Sequence, residues 1–384
     1  MSKILIRYAE IGLKGKNLSS FENQLVANIA QSLEIGKSDI VKLRKQFLLT
    51  IADSLINQSV AKLKHVFGIA WFAVVVEAKT DLADLKKAVV SLTREQIGAK
   101  DTFAIKAHRN DKMVSFTSQD ANRELGEAVR VQTKAKVDLS HPDKTIYLDI
   151  GKKQTFIYSQ KISGPGGLPV GSSGKVLSLI SGGFDSISAS YLLAKRGAQV
   201  DFAHFHVFAD HTHVLKTKIK TIVDDLKKTT FSQKLFLLSY LPFQMETIDL
   251  PGNLAAHELV VFRRLMVRVA CELAKKHGYE ALVLGDSLGQ VASQTLSNIV
   301  AVDEIADVPI FRPLIGMDKK DIIDLVRELN LEKEAISPYK DCCSIISKSP
   351  ATRAHPEKVS TIEKKIKIDK VAGEIANKAA IINL

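Results

Sequence analysis

Short apolar runs alternate with longer stretches of 3.6-residue periodicity along this chain, and the two periods separate strands from helices. In the first part, residues 4–8 predict a strand, 19–33 a helix, 41–45 and 46–51 two strands, and 54–66 a second helix. A glycine- and lysine-rich turn, residues 10–17, joins the first strand to its helix. Residues 71–76 are strongly β-forming, 82–97 predict an amphipathic helix, and 102–109 an alternating strand. A polar-capped helix at 118–130 and strands at 145–150 and 154–159 follow. Residues 164–174, rich in glycine, proline and serine, read as a linker.

Beyond the linker, strands at 176–180, 199–207, 234–239 and 281–284 alternate with helices ending at Gly197 and spanning 214–226 and 255–277. Such alternation predicts an α/β domain, a doubly wound parallel sheet that binds its ligand at the strand C-termini. Strand, helix, two strands and helix in the first 66 residues predict a ferredoxin-like α+β domain.

Residues 175–197 organise the chain. An apolar strand runs into Ser181-Gly-Gly, and helical periodicity begins directly after it. Unpaired N–H groups and the positive end of the helix dipole make such a turn an anion site, and glycines let a phosphate approach the backbone. Ser181 and Ser186 add hydroxyl donors. Asp185 adds a carboxylate that suits a phosphate only with a metal ion between them. A Walker loop is excluded, since Val176 follows Gly174-Lys175 and no lysine follows Gly183.

Composition sharpens this picture. A chain of 384 residues, 46% hydrophobic, can build two or three cores. Its net charge of +12 is uneven: residues 1–170 hold 26 basic and 17 acidic side chains, net +9, and the remainder only +3. A polyanion-binding front half and a catalytic back half follow, with a merely soluble basic surface as the alternative. Aromatic residues make up only 6%, which, for a nucleic-acid partner, favours reading by shape and phosphate over base stacking. Three cysteines form no disulfide framework. No apolar run suits a signal peptide or a membrane span, so a cytoplasmic protein without membrane contact is expected.

Lys14 and Lys16 read either as a solvated turn or as phosphate contacts. Lys106, His108 and Arg109 sit near a strand end and Arg123 on the next helix. His204, Phe205, Gly285 and Gln294 fall near strand C-termini; by spacing alone His204 and His206 are core residues. Lys319 beside Lys320 reads as a solvated pair at a helix start, and Cys271 as a buried helix residue.

Ser181-Gly-Gly-Phe-Asp-Ser186 after a strand resembles the pyrophosphate loop of the ATP pyrophosphatase superfamily, which cleaves ATP to AMP and pyrophosphate. Residues 103–109 with Asn122-Arg-Glu-Leu-Gly126 resemble a THUMP domain, an RNA-binding module. Further motifs are Lys14-Gly-Lys-Asn17, Arg264-Leu-Met-Val-Arg268, Gly289-Gln-Val-Ala-Ser-Gln-Thr295, Arg312-Pro-Leu314, Asp318-Lys319, and Cys343 with Ile346-Ser-Lys-Ser-Pro350. In this order they make the chain similar to the tRNA 4-thiouridine synthase (ThiI) family of sulfurtransferases. The resemblance implies a ferredoxin-like domain over 1–56, THUMP over 57–162, a linker over 163–174 and a pyrophosphatase domain over 175–384.

By that resemblance the enzyme uses ATP with Mg2+ to adenylate O4 of uridine 8 in tRNA, and a persulfide sulfur displaces AMP. Nucleotide contacts are implied at Leu179, Ile180, Ser181, Gly182, Gly183, Asp185, Ser186, His204, Phe205, Arg263 or Arg264, Gly285 and Gln294. Adenylation falls to Asp185 and Lys319, sulfur handling to Cys343, and RNA binding to Lys14, Lys16, Lys106, Arg109 and Arg123. No protein metal site is implied. Lys340 and Lys348 would favour the Cys343 thiolate if they lie near it.

Two departures stand out. No rhodanese-like domain follows residue 384, so a cysteine desulfurase is the expected persulfide donor, with free sulfide or an iron–sulfur cluster as competing routes. Asp286 stands where the family pattern has glutamate. A second role in thiamine synthesis and a homodimer are left open. The alternatives are a 2-thiouridylase or lysidine synthase, a THUMP-containing methyltransferase, and a non-catalytic RNA-binding protein with a relic nucleotide fold.

Overall fold

The computed structural model describes residues 1–111, 113–346 and 350–384, which form two compact units, residues 1–167 and 168–384. Lys348 and its flanking serines, Ser347 and Ser349, lie outside the described residues.

In the first unit β1 (Ser2–Tyr8), α1 (Leu18–Leu33), β2 (Ile40–Leu43), β3 (Gln46–Ile51), α2 (Ile56–Leu63) and β4 (Ile69–Lys79) come first. Next are α3 (Leu82–Thr93), β5 (Thr102–Arg109), α4 (Ser118–Thr133), β6 (Lys136–Val137), β7 (Lys144–Ile150), β8 (Gln154–Tyr158) and β9 (Ile162–Ser163). The sheet order is β2-β3-β1-β4-β8-β7-β5-β6, with β9 on β4. Its first four strands have the ferredoxin-like arrangement. The run expected at 71–76 is the middle of an eleven-residue strand whose front half pairs with β1 and whose end pairs with β8.

Alternation assigns the side chains of β1 to two cores. Ile4 and Ile6 face α1 and α2, while Leu5 packs with Leu48, Val75, Phe156 and Tyr158 on the other face. Val60, Leu63, Val66 and Phe72 belong to the first of these cores, which therefore continues past residue 56. A third core joins α3 and α4 to β5 and β7 through Leu85, Val89, Leu125, Ile146 and Leu148. The Thr117–Asp120 capping box starts α4.

The second unit runs β10 (Lys175–Leu179), α5 (Phe184–Lys195), β11 (Gln199–His206), α6 (Lys218–Thr230), β12 (Lys234–Ser239), α7 (Leu241–Thr247) and α8 (Gly252–Ala255). It continues with α9 (Glu258–His277), β13 (Ala281–Val283), α10 (Leu296–Asp303), β14 (Ile310–Phe311), α11 (Lys319–Glu328) and α12 (Glu332–Ile336). The last elements are α13 (Cys342–Ile346), α14 (Pro356–Ile366), α15 (Ile368–Asn377) and β15 (Ala380–Asn383).

The sheet order is β14-β13-β10-β11-β12-β15, parallel except for β15 at the edge. The chain moves outward through β11 and β12, then returns to β13 beside β10. Between β10 and β13 lies the topological switch point, where open sheets of this kind hold ligands.

Two helix boundaries differ from expectation. The helix expected at 214–226 is a 3₁₀ turn, His211–Lys216, then α6. Thr217 separates them because its extended backbone and side-chain cap start a new helix. The helix expected at 255–277 begins at Glu258, after the separate turn that Pro251 starts, and ends at Gly278, whose φ of +73° suits glycine. Phe262 of α9 packs near-perpendicular against Phe205, ring centroids 5.8 Å apart, and against Tyr240 at 5.1 Å. Phe262→Ala should cost about 3–5 kcal/mol and loosen Phe205 with it.

Candidate active site

After β10 the chain turns through Ser181-Gly182-Gly183 and enters α5, whose first turn carries Asp185. Gly182 has a φ of +77°, and a Cβ there would lie 2.6 Å from Ile219 Cδ1, so both conformation and space require glycine. Ser186 ties the loop together: its Oγ accepts from Ser181 N at 3.2 Å and donates to the Gly183 carbonyl at 3.1 Å. Both serines read as phosphate donors therefore also shape the turn.

Asp185 faces the switch point. Lys319 Nζ lies 2.7 Å from its Oδ1, and Gln290 Nε2 donates to Oδ2 at 2.8 Å. The fold closes 134 residues of sequence between the first pair by packing α11 on α5, where buried Ser188 donates to the Ile322 carbonyl at 3.3 Å. Gly285 fits against the same turn: a Cβ there would lie 2.8–2.9 Å from Asp185 C, Asp185 O and Ser186 N. Its role is close backbone approach, and any larger residue would push the aspartate away.

Asp286 is buried between two guanidiniums, Arg263 at 2.6 Å and Arg312 at 2.8 Å. Arg263 also donates to the Ser293 carbonyl at 3.0 Å. Of the two candidate arginines, only Arg263 reaches this loop. Arg264 is buried with Glu363 at 2.7 Å, Glu304 at 3.0 Å and the Ala301 carbonyl. Adjacent helix positions point about 100° apart, so one of the two must face away. Gln294 is buried in the loop that follows, and its Oε1, like that of Gln290, has no hydrogen-bond partner among the described residues.

His204 is 1% exposed, and burial pushes its pKa down to about 4. Nδ1 lies 2.7 Å from the Ile180 carbonyl, so it carries the proton, and Nε2 accepts from the Tyr339 hydroxyl at 2.7 Å. The histidine supports the loop backbone and offers no free nitrogen to a ligand. Leu179, Ile180, Ser181 and Phe205 line a cavity of about 50 Å³ closed by Asp341, Cys342 and Cys343.

Around Cys343 only the Lys340 half of the lysine expectation can be placed, since Lys348 lies outside the described residues. Lys340 is exposed, and burial first, then Asp341, pushes the thiol up to about 12, with Arg263 opposing. Cys342 is buried, its thiol also raised by burial, and Cys271 is a core residue of α9. Sequence reasoning passed over Gln290, Arg312, Tyr339 and Asp341 as site residues. The first two stand inside recognisable motifs; the last two had only their nearness to Cys343 as a signal.

The proposed RNA residues are spread over the first unit. Lys14 Nζ sits 5.0 Å from the Phe21 ring centroid, and Lys16 and Lys106 are exposed. Arg123 is also exposed and pairs with Asp120 at 3.6 Å. Arg109 donates to the carbonyls of Phe116 at 2.9 Å and Val114 at 3.3 Å, bracing that loop. It also lines a cavity of about 710 Å³ with Arg7, Arg44, Lys45, His108, Lys152 and Lys153, where Asp149 is the one acidic residue.

A glycine loop at the switch point of a doubly wound sheet, with an aspartate–lysine pair at its helix N-terminus, defines a nucleotide-dependent enzyme of the ATP pyrophosphatase type. Comparison with known proteins narrows the class. The family described as "Thiamine biosynthesis protein (ThiI)" matches residues 171–368, the ThiI ferredoxin-like domain residues 3–73, and the THUMP domain residues 79–160. The chain belongs to the ThiI family of tRNA sulfurtransferases.

Among its relatives is a probable tRNA sulfurtransferase of Caldanaerobacter subterraneus, 36% identical over 96% of both chains. Another, from Anoxybacillus flavithermus, is 34% identical over 99% of this chain and 96% of the relative. A solved 4-thiouridine synthetase in complex with RNA and bound ATP superposes with a TM-score of 0.90, at 28% identity over 100% of both chains. A Pyrococcus horikoshii protein shares the fold at a TM-score of 0.67 and 20% identity, covering 86% of this chain and 100% of its own.

Proposed function

We propose that this chain thiolates tRNA in two half-reactions in one site: ATP adenylates O4 of uridine 8, and sulfur carried by Cys343 displaces AMP to leave 4-thiouridine. The observation that carries this reading is the Asp185–Lys319 pair, 2.7 Å apart at the N-terminus of α5. Attack of O4 on the α-phosphate builds negative charge there and expels pyrophosphate. A fixed ammonium beside the loop stabilises that charge more than it stabilises bound ATP. The first N–H groups of α5, which have no intrahelical partners, are placed to hold the phosphates, and Ser186 keeps the preceding turn in shape by accepting from Ser181 N and donating to the Gly183 carbonyl.

Magnesium is usually held by one or two carboxylates together with substrate phosphates, and Asp185 in the first turn of α5 fits that role. When bound, the ion neutralises phosphate charge. Arg263, fixed by Asp286, and the buried Oε1 of Gln294 support placement of the nucleotide beside Phe205.

In the second half-reaction a cysteine desulfurase loads Cys343 as a persulfide. Its terminal sulfur attacks C4, AMP leaves, and a thiol reductant opens the remaining S–S bond. The basic cavity of the first unit supports tRNA binding there through phosphates. We assign the cytoplasm as the compartment, because the proposed reaction needs a place where tRNA, ATP and the sulfur donor meet. No described helix is long and apolar enough to cross a membrane. A homodimer is decided by sedimentation velocity.

The test supplies ATP, Mg2+ and tRNA with either desulfurase plus cysteine or sulfide alone, and scores 4-thiouridine. Cys343→Ser should stop product formation with the desulfurase while AMP and pyrophosphate still appear. Normal product from that variant would remove Cys343 from sulfur transfer.

A further inference from the structure

We propose that Tyr339 is a positioning residue that latches the cysteine segment, residues 339–346, over the nucleoside pocket, so that ATP entry and release of the Cys343 thiol are one event. This rests on reading Leu179, Ile180, Ser181 and Phe205 as nucleotide contacts. Those four residues share a cavity of about 50 Å³ with Asp341, Cys342 and Cys343. Sites that enclose a small-molecule ligand span about 300 Å³ or more. Nucleotide and cysteine segment therefore compete for one space.

The segment is packed in place. Cys342 is 1% exposed and belongs to the same core as Leu179, Phe205 and Phe262, with Cys343 and Ile346 against it. Polar ties hold the approach to it: Lys218 Nζ donates to the Ala335 and Ser337 carbonyls, each at 2.9 Å. The Tyr339 hydroxyl donates to His204 Nε2 at 2.7 Å, and His204 Nδ1 donates to the Ile180 carbonyl at 2.7 Å. One neutral histidine thus joins the backbone of the pyrophosphate loop to the cysteine segment. The direction of the Tyr339 bond follows from the carbonyl at the other nitrogen, which can only accept.

An adenosine group entering between Leu179 and Phe205 must displace Cys342 and Cys343 and part Tyr339 from His204. The thiol then moves from a partly buried place against the core, where burial and Asp341 hold it up at about 12, into open water, where thiols ionise near about 8.5. Sulfur loading then follows nucleotide binding, and a persulfide is not left exposed without an acceptor. The coupling is reciprocal: whatever opens the segment also tightens ATP.

The test uses the full chain and iodoacetamide at pH 8, with Cys343 and Cys271 alkylation each followed by peptide mass spectrometry. A non-hydrolysable ATP analogue with Mg2+ should raise the Cys343 rate at least tenfold and leave Cys271 unchanged. Tyr339→Phe should raise the nucleotide-free Cys343 rate roughly 2- to 10-fold, the worth of one hydrogen bond, and tighten analogue binding by a similar factor. If equilibrium dialysis shows the analogue bound while Cys343 labelling is unchanged or slower, the latch is wrong. Failure of the analogue to bind at all overturns the nucleotide reading instead. Equal acceleration of Cys271 in Tyr339→Phe would show general loosening and overturn the positioning role.

Discussion

Replacing Lys319 by alanine separates what its ammonium does for folding from what it does for chemistry. The Lys319 and Asp185 side chains are 45% and 23% exposed, so water screens their attraction. A pair of this kind stabilises a fold by about 0.2–1 kcal/mol. The ammonium also lies 5.6 Å from the Phe184 ring centroid, an arrangement contributing about 0.5–1 kcal/mol at exposed sites. Lys319→Ala should therefore lower stability by no more than about 1–2 kcal/mol, seen as a small fall in the urea midpoint.

Charge developing on the α-phosphate is another matter. Removing one preorganised group of this sort costs about 10²- to 10³-fold in rate, or about 2.7–4 kcal/mol of barrier. The assay is tRNA-dependent pyrophosphate release under saturating ATP, beside tRNA binding at fixed salt. Release should fall by that factor while tRNA affinity stays within about twofold. A wild-type rate in Lys319→Ala would remove the residue from the mechanism. A loss of rate matched by an equal loss of folded protein would reduce it to a structural role.

Four further outcomes follow from particular side chains. Gly285→Ala forces a methyl into the Asp185–Ser186 backbone and should cost about 1–3 kcal/mol of stability together with most of the adenylation rate, checked by thermal melting and pyrophosphate release. His204 has a folded pKa lowered to about 4 against about 6.5 unfolded, so the unfolded chain binds the extra proton between those values. Stability is full above pH 6.5 and should fall by roughly 3 kcal/mol as pH drops to 4; urea titrations should show His204→Gln with a shallower acid limb. Cys271→Ser should thiolate tRNA at close to the wild-type rate, because that side chain is a core residue of α9 whose polar neighbours are the backbones of Asp307 and Val308. Replacing Arg44, Lys45 and Lys152 by alanine in the full chain should weaken tRNA binding at all sequences. The log–log salt slope should shrink by about one for each phosphate that no longer meets a cation, read by filter binding from about 50 to 200 mM salt.

The sequence by itself determined the elements whose signals are local. Ser181-Gly-Gly between an apolar strand and a helical period reads as a turn, and the φ of +77° at Gly182 is one that glycine adopts without strain. The strand–helix alternation after residue 174 sufficed for a parallel sheet, because parallel strands need crossovers of that length. Motif order named Asp185, Lys319 and Cys343 together, but nothing local says that Asp185 and Lys319 touch, as they do at 2.7 Å.

Tertiary structure decided what depends on direction and enclosure. Arg263 and Arg264 are equivalent as letters, yet helix geometry gives one to Asp286 at the loop and the other to Glu363. Lys340 and Lys348 would have favoured a Cys343 thiolate had they lain close to it; Lys348 is outside the described residues, Lys340 is exposed, and the thiol is partly buried beside Asp341, which opposes its charged form. His204 read as a nucleotide contact; its two ring nitrogens are occupied by Ile180 and Tyr339, a partner 135 residues away. Sequence distance carries no information about such pairs: they exist because the sheet and its covering helices bury the surface between them, and that burial is a property of the whole fold.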